Sequence, residues 1–238
     1  AAGYKALDDY TKSQRQRARQ VLDQLEEENK LGLVVLGRPY QADPGINHEI
    51  LVEFQKLGYP VFTQDSLPMD EDLLDRLFGD EVKSGVISHP LDISDAWKNS
   101  YSENTNRKIW GAKFTARHPN LVALELSNFK CGHDSPIYSV VEEIVENSGT
   151  PIFNFKDLDE NKPTGSIKIR VETISYFLTR YLENILKEGE ARENIERQLE
   201  AFRGELIDSV KNDGVEIPIL SNSTGEYAEN VLTNADAV

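Results

Sequence analysis

The apolar positions of this chain gather into four short continuous runs, Leu33–Leu36, Pro60–Thr63, Leu121–Leu126 and Pro151–Phe155. Runs of strand length that are apolar throughout belong to sheets covered on both faces. Between them the apolar spacing changes to the helical period, which predicts helices over 46–57, 70–78, 103–117 and 137–146, with Gly58 as a stop signal. Strand, loop, helix and strand in that order imply right-handed crossovers and a parallel sheet. A helix over 13–29 shows Ala18, Val21, Leu22 and Leu25 on one side. At the other end, a helix over 167–186 with Ile169, Thr173, Tyr176 and Phe177 is followed by a charged one over 190–202. The predicted fold is α/β, a small doubly wound, Rossmann-like parallel sheet with helical extensions at both ends. It divides into an N-terminal helix (1–30), an α/β lobe (31–186) and a C-terminal helix with a peripheral tail (187–238). Beyond Gly204 the periodicity weakens, and a tail mobile in solution is expected.

Composition narrows the class. An apolar share of 39% supports a buried core in a chain of 238 residues. The formal net charge of −15, from Asp+Glu 41 against Lys+Arg 26, argues against nucleic acid and anionic membranes as partners. No apolar stretch is long enough to span a bilayer and no signal-peptide pattern opens the chain. One cysteine provides no disulfide framework and fits a cytoplasmic setting. The start Ala1-Ala2-Gly3, with Met69 the only methionine, reads equally as a start whose initiator methionine has been removed or as a piece of a longer protein.

In open α/β sheets, ligands and reactive groups gather past the carboxyl ends of strands. Two segments fit that position. Gly37-Arg38-Pro39-Tyr40, with Asp43 to His48, follows the first strand. Arg38 there offers fixed positive charge to an anion, while Asp43 or Asn47 can cap the next helix. The loop lacks the spacing of a dinucleotide fingerprint or a phosphate-binding P-loop. The bland reading, prolines and glycines shaping a tight connection, comes first for this loop. Cys131-Gly132-His133-Asp134 follows the third predicted strand. Its thiol reads as a nucleophile, a metal ligand or an inert buried residue, with Asp134 as a helix cap in the last case.

The residues alone leave those options open. His133 is two residues from the thiol, a spacing that on an extended backbone shares a face but rarely stacks thiol on imidazole, and no second motif supplies an oxyanion hole. Histidines at 48, 89, 118 and 133 show no zinc spacing, and an iron–sulfur cluster needs more thiolates than the chain has. His89-Pro90 and His118-Pro119 read as turn punctuation, Trp97 and Trp110 as core or interface residues. Lys156, Asp157, Asp159, Glu160 and Lys162 read as a solvated loop after the fourth strand.

Several of these segments together are distinctive. Gly37–Tyr40 with Asp43–Ile50, Trp97–Asn104, Phe129–Asp134 and Lys156–Pro163 running on to Ile169–Thr173 resemble the C-terminal region of large CoA-substrate-specific enzyme activases. These are related to the activator of 2-hydroxyacyl-CoA dehydratases. The resemblance covers about Gly32 to Tyr181 and implies one dehydratase-subunit-like lobe of a multidomain parent from anaerobic metabolism. That parent's upstream lobes and ATPase modules would be the first partners, with a dehydratase or reductase as a further one. It implies a [4Fe-4S] cluster in the intact parent, not in this chain alone, with Cys131 as one ligand. Gly37, Arg38, Pro39, Tyr40, Asp43, His48, His133 and Asp134 would line or tune the cleft around it. The implied function is coupling of ATP hydrolysis to low-potential electron transfer. The alternative is an assembly or small-anion-binding module without metal.

Overall fold

The computed structural model describes residues 2–127, 132, 134–156, 158 and 164–212. Among these, four strands form one all-parallel sheet in the order β2-β1-β3-β4. The strands are β1 (Gly32–Leu36), β2 (Val61–Thr63), β3 (Leu121–Leu126) and β4 (Ile152–Phe155). Leu33 pairs with Val61 on one side and Val122 on the other, so β1 is central. The helices are α1 (Ala2–Glu27), α2 (Ile50–Lys56), α3 (Glu71–Lys83), α4 (Glu103–Arg117), α5 (Tyr138–Asn147) and α6 (Thr164–Asn212). The expected doubly wound α/β fold is therefore present.

Strand alternation sends the side chains to two cores. Val34, Leu36, Phe62, Leu121 and Ala123 pack with α1, α3, α4 and α5 through residues such as Leu22, Phe78, Trp110 and Val141. Leu33, Val35, Val122, Leu124, Leu126 and Phe155 pack on the other face with Ile50 and Phe54 of α2 and Ile167, Val171 and Leu178 of α6. The helix after β1 and the helix after β3 lie on opposite faces because they lead to opposite edges with the same hand. The chain order thus reverses between β1 and β3, and the loops after those two strands flank the switch point.

Several boundaries differ from the expected ones, each for a physical reason. α1 begins at Ala2, far ahead of residue 13, although Tyr4, Leu7 and Tyr10 are exposed. Its first half has no buried stripe for periodicity to reveal and is supported by local contacts such as Lys12 to Asp8, 2.7 Å. α2 begins at Ile50 and not Ile46, because His48 and Glu49 adopt left-handed φ of 53° and 61° and break any earlier helix. Gly58 does end the segment, with φ of 89°. The two helices expected at 167–186 and 190–202 are one, with Gly189 inside it; an interior glycine costs a helix about 1 kcal/mol without ending it. The segment from Gly204 to Asn212, expected as tail, is also helical. Residues 1–183 and 184–238 form separate compact units. The first contains the sheet. In the second, the described residues are the rest of α6, where Ile195, Leu199 and Phe202 are exposed.

Candidate functional site

The loop after β1 is built by three short-range devices. The Gln41 side chain turns back and its Oε1 accepts the Arg38 N–H at 2.7 Å. Asn47, buried, donates Nδ2–H to the Gln41 carbonyl at 2.9 Å. Exposed Asp43 accepts the N–H groups of Gly45 and Ile46 at 2.9 and 3.2 Å, so it closes this turn and does not cap α2. Pro39 and Tyr40 sit on a 3-10 turn with their surfaces exposed. Gly37 is there for closeness: a Cβ on it would fall 2.5 Å from Gln41 Oε1 and 3.3 Å from the Leu126 carbonyl oxygen. His48 leaves this cluster, its Nε2 lying 2.9 Å from the Leu158 carbonyl oxygen beyond β4.

Arg38 crosses the switch point. Its Nε lies 3.1 Å from Asp134 Oδ1, the side chains being 10% and 1% exposed. Asp134 does not cap the turn that follows it. Its other oxygen accepts a hydrogen bond from Lys108 Nζ of α4 at 3.2 Å. Lys108 Nζ is also 2.8 Å from Glu125 Oε1 on β3 and 4.9 Å from the centroid of the Tyr138 ring. Lys108 and Glu125 are 1% and 0% exposed. Two cations and two carboxylates therefore sit inside the protein at the carboxyl ends of β1 and β3.

Parity explains Glu125. It shares the sheet face of Leu121 and Ala123, which α4 covers, so its carboxylate points at a helix and must meet a cation there. Burial pushes its pKa up, and the Lys108 charge opposes that shift. Distance alone overstates the pairing. Among the described residues, neither Glu125 oxygen has a well-aligned hydrogen bond, nor does Arg38 Nη2, and the 3.1 Å contact of Arg38 Nε with Asp134 is likewise an ion pair without hydrogen-bond alignment. The network neutralises charge but leaves hydrogen-bonding capacity unused.

Of the residues singled out in the sequence, Arg38 and Asp134 are brought together, with Gly37 behind them. Asp43 serves the loop's own shape, while His48 ties the loop to the Leu158 carbonyl. Gly132 is exposed. Cys131 and His133 lie outside the described residues. Lys108 and Glu125 escaped the sequence reading, although one signal pointed to them: Glu125 is the sole charge in a strand buried at all six positions. Among the described residues, no three of His, Cys, Asp or Glu are grouped to hold a metal. His118, read as turn punctuation, is the buried cap of α4, and its Nε2 lies 2.7 Å from Glu26 Oε1 of α1.

A family model described as the CoA enzyme activase uncharacterised domain matches residues 1–67. The match supports a CoA enzyme activase-related region over that stretch. It spans α1 to the end of β2 and includes the Arg38 loop, but stops before β3 and the Cys131 segment. No curated protein matches the chain, and no solved structure does. No described helix is long and apolar enough to cross a membrane.

Proposed function

We propose that this activase-related α/β unit is a lobe of an ATP-dependent activase or reductase of the 2-hydroxyacyl-CoA dehydratase type. In that reading it contributes one ligand, Cys131, to an iron–sulfur site shared with other lobes of the parent. The observation that carries the reading is the double anchoring of Asp134. This residue follows Cys131 by three positions and is gripped by Arg38 from the loop after β1 and Lys108 from α4. A loop built only to connect β3 to α5 needs no buried pair of cations, and burying them costs free energy that function or specificity must justify.

The donor set fits a shared cluster and not a self-contained one. The chain has one thiol, and among the described residues no three of His, Cys, Asp or Glu are grouped to hold a metal. A [4Fe-4S] cluster calls for four ligands, so the remaining ones would come from upstream lobes. When bound, the cluster supplies low-potential one-electron transfer. Arg38 and Lys108 would place fixed positive charge near it, and charge and hydrogen bonds around such a centre tune its potential.

The experiment is Cys131→Ser in the longer parent protein, prepared without oxygen. Iron content should fall or the cluster's spectrum should change, since a serine oxygen is a poorer iron ligand than thiolate. Unchanged iron and spectrum would remove this lobe from the electron path.

A further inference from the structure

Arg38 also borders a second space. Together with α1 it lines a cleft of about 560 Å³ on the β2 side of β1, a size usual for small-molecule sites. The floor is the carboxyl ends of β1 and β2, with Val35, Gly37, Arg38, Thr63 and Gln64. The roof is the first half of α1, with Leu7, Tyr10, Thr11, Gln14 and Arg15. This half of α1 buries nothing against the sheet; the helix is held further on by Ala18, Leu22 and Leu25.

The polar groups of the cleft are unusual for a protein of net charge −15. Arg107, at one wall, is spoken for by Asp65 at 2.8 Å and Glu103 at 2.9 Å. Arg15 and Arg38 are not balanced in that way. Among the described residues, Arg15 Nε is buried without a hydrogen-bond partner, and so is Arg38 Nη2. Arg38 shares its one carboxylate, Asp134, with Lys108. Gln64 is 5% exposed and its Oε1 also lacks a partner. Those three atoms have almost no accessible surface, so what the cleft itself offers is the charge of two guanidinium groups on opposite sides of it, Arg15 with no described carboxylate partner and Arg38 sharing Asp134 with Lys108. Guanidinium groups match the planar geometry of carboxylates and phosphates. Tyr10 and Leu7, 63% and 62% exposed while lining the roof, offer an apolar surface to the rest of such a molecule.

We infer that this cleft binds a small molecule with an oxyanion head on an aromatic or aliphatic body. Its head sits between Arg15 and Arg38, and its body lies under Leu7 and Tyr10. The inference does not rest on the iron–sulfur reading, because the cleft does not use Cys131.

The test is calorimetry on the full chain with phenyl phosphate, benzoate and inorganic phosphate at fixed ionic strength. Saturable binding of phenyl phosphate or benzoate, tighter than that of inorganic phosphate, is expected. Preference between the first two identifies the head as phosphate or carboxylate. Arg15→Gln should weaken binding about tenfold or more, the loss of one charge-assisted contact. Tyr10→Ala should abolish the advantage over inorganic phosphate. Tyr10 is exposed and Arg15 belongs to neither apolar core, so folding, checked by circular dichroism, should be retained. No saturable binding of any of the three, or binding equal in wild type and Arg15→Gln, would overturn the inference. Cys131→Ser should leave the affinities unchanged, so the two proposals can fail separately.

Discussion

His118 shows how much one buried side chain can couple to solution conditions. Its Nδ1 accepts the Asn120 N–H at 3.2 Å, which puts the imidazole proton on Nε2, facing Glu26. The 3.4 Å approach of Arg76 to the same Nε2 is then not a hydrogen bond, since that nitrogen is already donating. Burial pushes the pKa down to about 4, against the pull of Glu26. The unfolded chain takes up a proton near pH 6.5, so this contribution is full above that pH and is lost as pH falls towards 4. It amounts to roughly 3 kcal/mol. Glu125 has the opposite sign: its raised pKa gives a contribution present at low pH and lost as pH rises. Urea midpoints across this range should therefore fall more steeply towards acid in wild type than in His118→Gln; parallel profiles would contradict the assignment. Lys108→Met removes the shared cation from Glu125 and Asp134 and should destabilise by about 3–5 kcal/mol in urea unfolding. Adding Glu125→Leu should recover much of that loss, because Asp134 retains Arg38.

At the scale of elements, the strands were legible because each spells itself as a largely apolar run, β1 and β3 buried at every position and the edge strands β2 and β4 only in part. α4 was legible end to end, with Ser102 as its cap. The first half of α1 was not, because Tyr4, Leu7 and Tyr10 are exposed and follow no core. The parallel order of the strands also brings the loops after β1 and β3 to one edge. What local pattern does not carry is the partner of a buried charge. Lys108 and Glu125 belong to different elements, and nothing near either one names the other. The loop after β1 makes a related point about size. Gly37→Ala would push its methyl into Gln41 Oε1, the acceptor that holds the Arg38 N–H. The expected cost is about 1–2 kcal/mol in thermal or urea unfolding, with faster hydrogen exchange at the Arg38 amide. An unchanged exchange rate would mean that the loop does not depend on this contact.

For the first unit as a whole, two apolar cores on either side of one sheet should fold without a metal staple. Cooperative thermal unfolding should survive a strong chelator with no shift in midpoint, and a chelator-dependent melt would point to a structural ion. The strand order has a consequence for biosynthesis. β1 must pair with β3 to complete its ladder, yet nearly sixty residues separate the end of β2 from the start of β3. At roughly 5–20 residues per second on the ribosome, the nascent chain spends several seconds with β1 paired on one edge only. During that interval a strand destined for the centre of the protein presents an open edge and apolar faces covered only in part, by α1 on one side and α2 on the other, a hazard that chaperones exist to manage.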